Sequence, residues 1–220
     1  MRISLLIIGC ICGLFLSCND EFTNSDPVDF KSNYFPVFVG KSTIYSIDSL
    51  FFDNFSQNGN TDTIHVDYKD SIVSFENENY MVNRYQYNEM NKLWVLQKIY
   101  TIKASQQTIQ VTEDNLTLVK LIFPVVPNKK WNAFSFYNTI KQQEYEYIEV
   151  DIPMSINQFM FDSVLRVLQV DTINLIRETT AYEYYAKNVG LIKRETTNIE
   201  RDSIGAAPNG TKIITTIKQF

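Results

Sequence analysis

A single histidine, His65, and three cysteines are all that this chain of 220 residues offers of the side chains most used as base, thiol nucleophile or soft metal ligand. Two of the cysteines, Cys10 and Cys12, lie inside an apolar N-terminal run. If that run is removed, only Cys18 remains, and neither a disulfide nor free-thiol chemistry is expected. Most nucleophile-and-base arrangements lose a component on this count. The sequence also lacks G-x-S-x-G, a phosphate-cradling glycine loop, H-E-x-x-H and a calcium-binding D-x-D-x-D-G run. Glycine (7) and proline (6) are scarce, and no Gly/Ser-rich linker divides the chain, so one domain is expected. Basic clusters are missing as well: 20 Lys and Arg, Arg2 among them, are interspersed with 25 Asp and Glu for a net charge of −5. That excludes the electrostatic footprint of a nucleic-acid binder. The one long apolar run, Ile3 to Leu16, is too short to span a bilayer.

That run has the shape of a secretory h-region behind one cation, and it closes on Phe15-Leu16-Ser17-Cys18. A small residue before the cut and a thiol just after it are what lipoprotein processing requires. Residues 1–17 are therefore expected to be a signal peptide, cleaved between Ser17 and Cys18, with Cys18 carrying the lipid as a thioether. An ordinary secretory signal with a chance cysteine is the alternative, but no A-x-A-like site occurs. Palmitate-type chains contribute roughly 0.8 kcal/mol per buried methylene, so two or three of them anchor the protein lastingly. Residues 18–33 are polar, carry Pro27 and lack periodicity, as a tether would, with a short helical turn expected around Val28 to Lys31. Within it Asn19-Asp20-Glu21 resembles the export signal of Bacteroidota surface lipoproteins. The resemblance implies an outer-membrane lipoprotein and leaves the cell surface and the periplasmic face both open.

From residue 34 to 220 the chain is expected to be one all-β domain. Phe (15) and Tyr (13) are abundant, and apolar or alternating segments stop repeatedly at Asn, Asp or Gly. The pattern predicts strands over Ser42–Phe52, Asp62–Tyr68, Ser71–Glu76, Tyr80–Asn88, Lys92–Lys103, Thr108–Thr112 and Leu116–Phe123. It resumes over Lys130–Tyr137, Glu144–Val150, Met160–Gln169, Asn174–Tyr185, Leu191–Asn198 and Lys212–Lys218. So many strands cannot stay flat, which predicts a strongly curved antiparallel sheet, barrel-like or half-barrel, mostly a meander with little helix. An internal echo accompanies this: Phe35-Pro36-Val37 before Gly40-Lys41, and Phe123-Pro124-Val125 before Lys129-Lys130-Trp131. Duplication of a β unit and chance similarity of a short word both explain it.

The domain resembles a family of uncharacterised Bacteroidota envelope lipoproteins through Tyr34-Phe35-Pro36-Val37 with Gly40 and Tyr45, through Lys130-Trp131-Asn132, and through Tyr185-Ala186-Lys187-Asn188-Val189-Gly190-Leu191-Ile192. Where that family commonly has glycine after Trp-Asn, this chain has Ala133. The resemblance implies a structural class and no reaction. Asp-Ser/Thr-aliphatic tripeptides also recur, and they resemble the O-glycosylation acceptor of Bacteroidota envelope proteins. They make Ser49, Thr63, Ser71, Ser163, Thr172 and Ser203 candidate acceptors, although Asp ending a turn before a strand gives the same tripeptide.

Alternation puts Thr63, His65 and Asp67 on one face of a strand, where a solvent-facing histidine is a better reading than the start of a metal site. Glu144 and Glu146 share a face opposite Tyr145 and Tyr147, as a half-solvated strand would have them. Trp94, Trp131, Tyr85-Tyr87, Tyr145-Tyr147 and Tyr182-Tyr184-Tyr185 are expected to be packing residues or the lining of a groove for a sugar or an apolar ligand. The expected function is that of a non-catalytic, lipid-anchored envelope protein binding a partner protein, a glycan or an apolar ligand, without a cofactor or metal. A lipid or lipoprotein carrier with an apolar cavity is the alternative, and a carboxylate-based glycan hydrolase a more distant one.

Overall fold

The computed structural model describes residues 30–53, 61–138, 143–202 and 207–220. A 3-10 turn, Ser32–Tyr34, is followed by β1 (Ser42–Phe52), β2 (Thr61–Glu76), β3 (Asn79–Asn88), β4 (Leu93–Ala104), β5 (Thr108–Glu113) and β6 (Leu116–Ile122). The second run comprises β7 (Lys130–Asn132), β8 (Glu144–Ile156), β9 (Phe159–Ile173), β10 (Arg177–Ala186), β11 (Gly190–Glu200) and β12 (Asn209–Gln219). All are antiparallel in a 12-stranded sheet of order β6-β5-β4-β3-β2-β1-β12-β11-β10-β9-β8-β7. This is a meander whose two ends, β6 and β7, come round to face each other, so the sheet is a nearly closed barrel. The curved all-β meander expected from the sequence is what forms.

Tight hairpins follow from residues that tolerate left-handed backbone. Asn77 (φ 49°) and Glu78 (φ 64°) turn β2 into β3, and Asp114 (φ 51°) and Asn115 (φ 62°) turn β5 into β6. Two expected strands, Asp62–Tyr68 and Ser71–Glu76, are one strand of 16 residues. The polar pair Lys69-Asp70 is not a turn, because Asp70 points inward and lies opposite Arg84 of β3. The strand expected over Lys130–Tyr137 stops at Asn132, where a turn follows.

The open seam is closed by one backbone hydrogen bond and two aromatic side chains. Val119 of β6 donates its amide to the Ala133 carbonyl (2.9 Å) and accepts from the Trp131 indole at 2.8 Å. The Tyr147 hydroxyl accepts from the Ile122 amide (2.8 Å) and donates to the Ile122 carbonyl (2.7 Å). These bonds satisfy edge groups that would otherwise be a template for a foreign strand. Trp131, Tyr145, Tyr147 and Leu121 belong to the larger of two apolar clusters, which also takes in Tyr34, Phe123 and Val125.

The internal echo is geometric as well as sequential. The Gly40 amide bonds the Ile72 carbonyl (2.8 Å) and the Ile72 amide bonds the Lys41 carbonyl (2.9 Å). In the second copy the Asn128 amide bonds the Tyr147 carbonyl (2.8 Å) and the Tyr147 amide bonds the Lys129 carbonyl (3.1 Å). In each copy the lysine Nζ reaches back to the proline carbonyl, Lys41 to Pro36 at 3.0 Å and Lys129 to Pro124 at 3.3 Å. Each copy leads into a run of six strands, so the barrel is two consecutive meanders with a shared opening motif.

The ordered lead-in begins before Tyr34. The Val125 amide reaches the Phe30 carbonyl, and the Asn188 amide bonds the Asn33 carbonyl at 2.8 Å. The turn expected around Val28 to Lys31 lies mostly outside the described residues; the helical turn seen is at Ser32–Tyr34.

Candidate functional site: a charged cavity inside the barrel

Twelve strands enclose more space than side chains fill. A cavity of about 530 Å³ occupies the interior, within the range of small-ligand sites. Apolar side chains line part of it, among them Phe35, Ile72, Val82, Leu118 and Leu191. The remainder is charged. Register brings the charges together: Asp70 of β2 lies opposite Arg84 of β3, and Glu183 of β10 opposite Arg194 of β11. Lys120 arrives by an irregularity, since Val119 pairs Gln110 and Leu121 pairs Ile109, leaving Lys120 as the extra residue of a β-bulge. Bulges of this kind re-aim side chains. Here the bulge delivers a lysine to the interior beside the fully buried Leu121.

Two charged nodes result. At the first, Arg84 holds both oxygens of Asp70 at 2.8 Å, the Tyr100 hydroxyl donates to the same carboxylate at 3.0 Å, and Glu113 lies 3.3 Å from Arg84 and 2.6 Å from Lys98. At the second, Glu183, 0% exposed, accepts from Lys120 and from Arg194 at 2.7 Å each and from the Tyr185 hydroxyl at 2.5 Å. Burial pushes the Glu183 carboxyl up, but Lys120 and Arg194 outweigh it and hold it down at about 2. Burial draws Lys120 below the ordinary lysine value, more than Glu183 raises it. Glu113 is likewise below the usual carboxylate range, because Lys98 and Arg84 overcome its burial. Arg194 lines the cavity, and 37% of its side-chain surface is accessible. Burial pushes the hydroxyls of Tyr45 and Tyr145, both lining residues, above the ordinary tyrosine value.

The residues singled out in the sequence fall mostly elsewhere. His65 is 57% exposed and bonds Asp48 of the neighbouring strand at 2.7 Å, with Asp67 of its own face 3.5 Å away. No group of three or more His, Cys, Asp or Glu able to hold a metal occurs among the described residues. Glu144 and Glu146 share Lys130 on the outer face, at 3.0 and 3.5 Å. Tyr85 and Trp94 flank the Lys69 ammonium at 5.0 and 5.1 Å, outside the barrel. Of the tyrosine groups, Tyr145 and Tyr185 do line the cavity. Among the candidate acceptors Thr63 and Thr172 are exposed, Ser49 and Ser71 are half-buried, and Ser163 is half-buried and bonded to Tyr34 and Asp151. Ser203, Ser17, Cys18, Asp20 and Glu21 lie outside the described residues. The charged interior was not read from the sequence, though one sign was available: Glu183 stands in Ala181-Tyr182-Glu183-Tyr184-Tyr185, an acid amid buried aromatics.

No protein-family model matches the chain, and no curated protein matches it. Solved structures similar to it include two bacterial proteins. One, described as an inferred exported protein with a YmcC-like fold from Bacteroides fragilis NCTC 9343, matches at a TM-score of 0.42 with 10% identity, over 84% of this chain and 97% of that one. The other, described as an inferred lipoprotein from Parabacteroides distasonis ATCC 8503, matches at 0.41 with 11% identity, over 88% and 99%.

Proposed function

We propose that this chain is a non-catalytic lipoprotein of the bacterial envelope, anchored at the outer membrane through Cys18, whose barrel holds a small ligand in its interior. The observation that carries the reading is the 530 Å³ cavity with accessible charged walls. A domain built only to be a scaffold would gain more from filling that space, since unfilled volume costs stability. The non-catalytic part draws support from the state of the interior carboxylates. A glycan hydrolase needs one acid that keeps its proton near neutrality, and Glu113 and Glu183 are both drawn the other way. The carrier variant keeps its hollow, but with charge at the centre the ligand is one with a polar group and not a bare hydrocarbon.

Two measurements test this. Replacing Cys18 by Ser should move the protein from the membrane to the soluble fraction and abolish fatty-acid labelling; a labelled variant refutes the anchor. Protein from its native membranes, opened under native mass spectrometry, should release a small molecule that the cavity-filling Leu118→Trp variant does not carry. Identical spectra for the two would remove the ligand chamber.

A further inference from the structure

The cavity walls carry charge of both signs, in a chain whose net charge is −5. Lys41, Arg84, Lys120 and Arg194 line it, against Asp70, Glu113, Asp114 and Glu183. Asp114 is 80% exposed and turns to Lys98, which also holds Glu113. Four lining cations thus face four lining carboxylates, of which Glu113 and Asp114 also pair with Lys98, itself outside the lining. Glu183 is shared by two of these cations, and Arg84 bridges Asp70 and Glu113. The cation left over is Lys41. Its Nζ donates to the carbonyls of Pro36 (3.0 Å) and Val189 (2.6 Å), and among the described residues no carboxylate pairs with it.

An ammonium has three hydrogens to donate, so one remains for the cavity that Lys41 lines. The equivalent Lys129 of the second copy keeps the bond to its proline but is not part of the lining. The space beside Lys41 is also kept open. A Cβ on Gly190 would stand 3.1 Å from the Nζ, and φ +100° at that position disfavours any side chain. Around it the lining is apolar: Phe35 in the lead-in, Ile72 hydrogen-bonded across the sheet to Lys41, and Leu191 next to Gly190.

We propose that the cavity binds a small monocarboxylate with an apolar body, its carboxylate accepting the remaining hydrogen of Lys41 and its body lying against Phe35, Ile72 and Leu191. This rests on the reading of the interior as a ligand chamber. One ammonium without a carboxylate partner matches one carboxylate. A phosphate dianion would bring two negative charges to a single unpaired ammonium, and a neutral ligand would leave that ammonium without a counter-charge. Burial already draws Lys41 down to about 8, as expected of an ammonium that lacks an anion.

The full-length protein in detergent can be titrated with 3-phenylpropanoate, its neutral amide and the 3-phenylpropylammonium ion, with binding read by calorimetry. The wild type should prefer the acid to the amide by about tenfold or more, as a charge-assisted hydrogen bond to a buried partner implies. Lys41→Arg should keep that preference. Lys41→Met, and Lys41→Gln as a neutral polar control, should lose it and bind acid and amide alike. Equal binding of acid and amide by the wild type overturns the proposal without any variant having to fold. A preference that survives in Lys41→Gln overturns it too, because the lysine would then only tie the lead-in to the β10–β11 turn. If none of the three probes binds, the chamber reading itself falls, and the assignment of its ligand with it.

Discussion

Asp151 shows how much one side chain can organise. It sits in β8 with φ 59°, unusual for a non-glycine residue, where the register with β9 is broken on both sides. That backbone aims its carboxylate at Lys31 (2.5 Å), Tyr34 (2.7 Å), Ser163 (2.6 Å) and Lys187 (2.7 Å), which ties the lead-in to the barrel wall. Burial pushes the acid up, but the bonds from Lys187, Lys31, Ser163 and Tyr34 outweigh it and hold the carboxyl well below the usual range. In the unfolded chain it would protonate near pH 4. Because the folded pKa is the lower one, the stabilisation is complete above about pH 4 and drains away as pH falls below that. Asp151→Asn should cost about 1–2 kcal/mol at pH 7, discounted for partial exposure. The gap between urea melts of wild type and variant should narrow steadily as pH falls from 4 toward 2; a gap that stays constant from pH 7 to pH 2 would show that the charge is immaterial. The same cluster bears on glycosylation, since a glycan on Ser163 would displace these bonds, whereas Thr63 and Thr172 are exposed and free of that conflict.

At the level of elements, the decisive feature is the seam between β6 and β7, which the side chains of Trp131 and Tyr147 close together with one backbone bond, where a continuous ladder would in a complete barrel. Tyr147 is fully buried and satisfies both backbone groups of Ile122. Tyr147→Phe keeps the ring packed on Trp131, 4.6 Å between centroids, but orphans a buried amide and carbonyl. A loss of about 1–3 kcal/mol is expected. Hydrogen exchange should quicken in peptides covering β6 and leave β11 and β12 unchanged; uniform quickening would mean that the seam is no weaker than the rest. Most of this architecture was legible in the sequence. Alternation and Asn/Asp turns located the strands, and the repeated Phe-Pro-Val word marked the start of both meanders. The break misread at Lys69-Asp70 has a physical cause: local polarity signals a turn unless the charge is paired inside, and the partner, Arg84, is a strand away. Bulges are equally invisible to a two-residue period. No local pattern announces that Lys120 is an inserted residue, yet the insertion puts a cation in the core.

On the scale of the whole molecule, Glu183 links the two meanders, because its carboxylate on β10 takes a cation from β6 of the first run and another from β11 of the second. Such a node could not be read from the sequence, since residues 120, 183 and 194 meet only when the sheet curls through nearly a full turn. Its energetics are asymmetric. Ion pairs in a low-dielectric interior contribute little beyond well-packed apolar residues, but removing one member strands the others. Glu183→Gln leaves Lys120 and Arg194 facing each other and should cost about 3–5 kcal/mol, whereas Lys120→Met with Glu183→Leu still strands Arg194 and should recover only part of that loss. Acid acts on the same node. Glu183 is held at about 2, below its unfolded value, so its contribution is complete above about pH 4.5 and is lost as pH falls toward 2. Global unfolding followed by tyrosine and tryptophan fluorescence should therefore show a larger loss of stability between pH 4.5 and pH 2 in the wild type than in Glu183→Gln, which is already destabilised at neutral pH. If Glu183→Gln melts like the wild type at pH 7, the two meanders are held together by their apolar contacts and the seam alone, and the charges inside the barrel are there for a ligand and not for the fold.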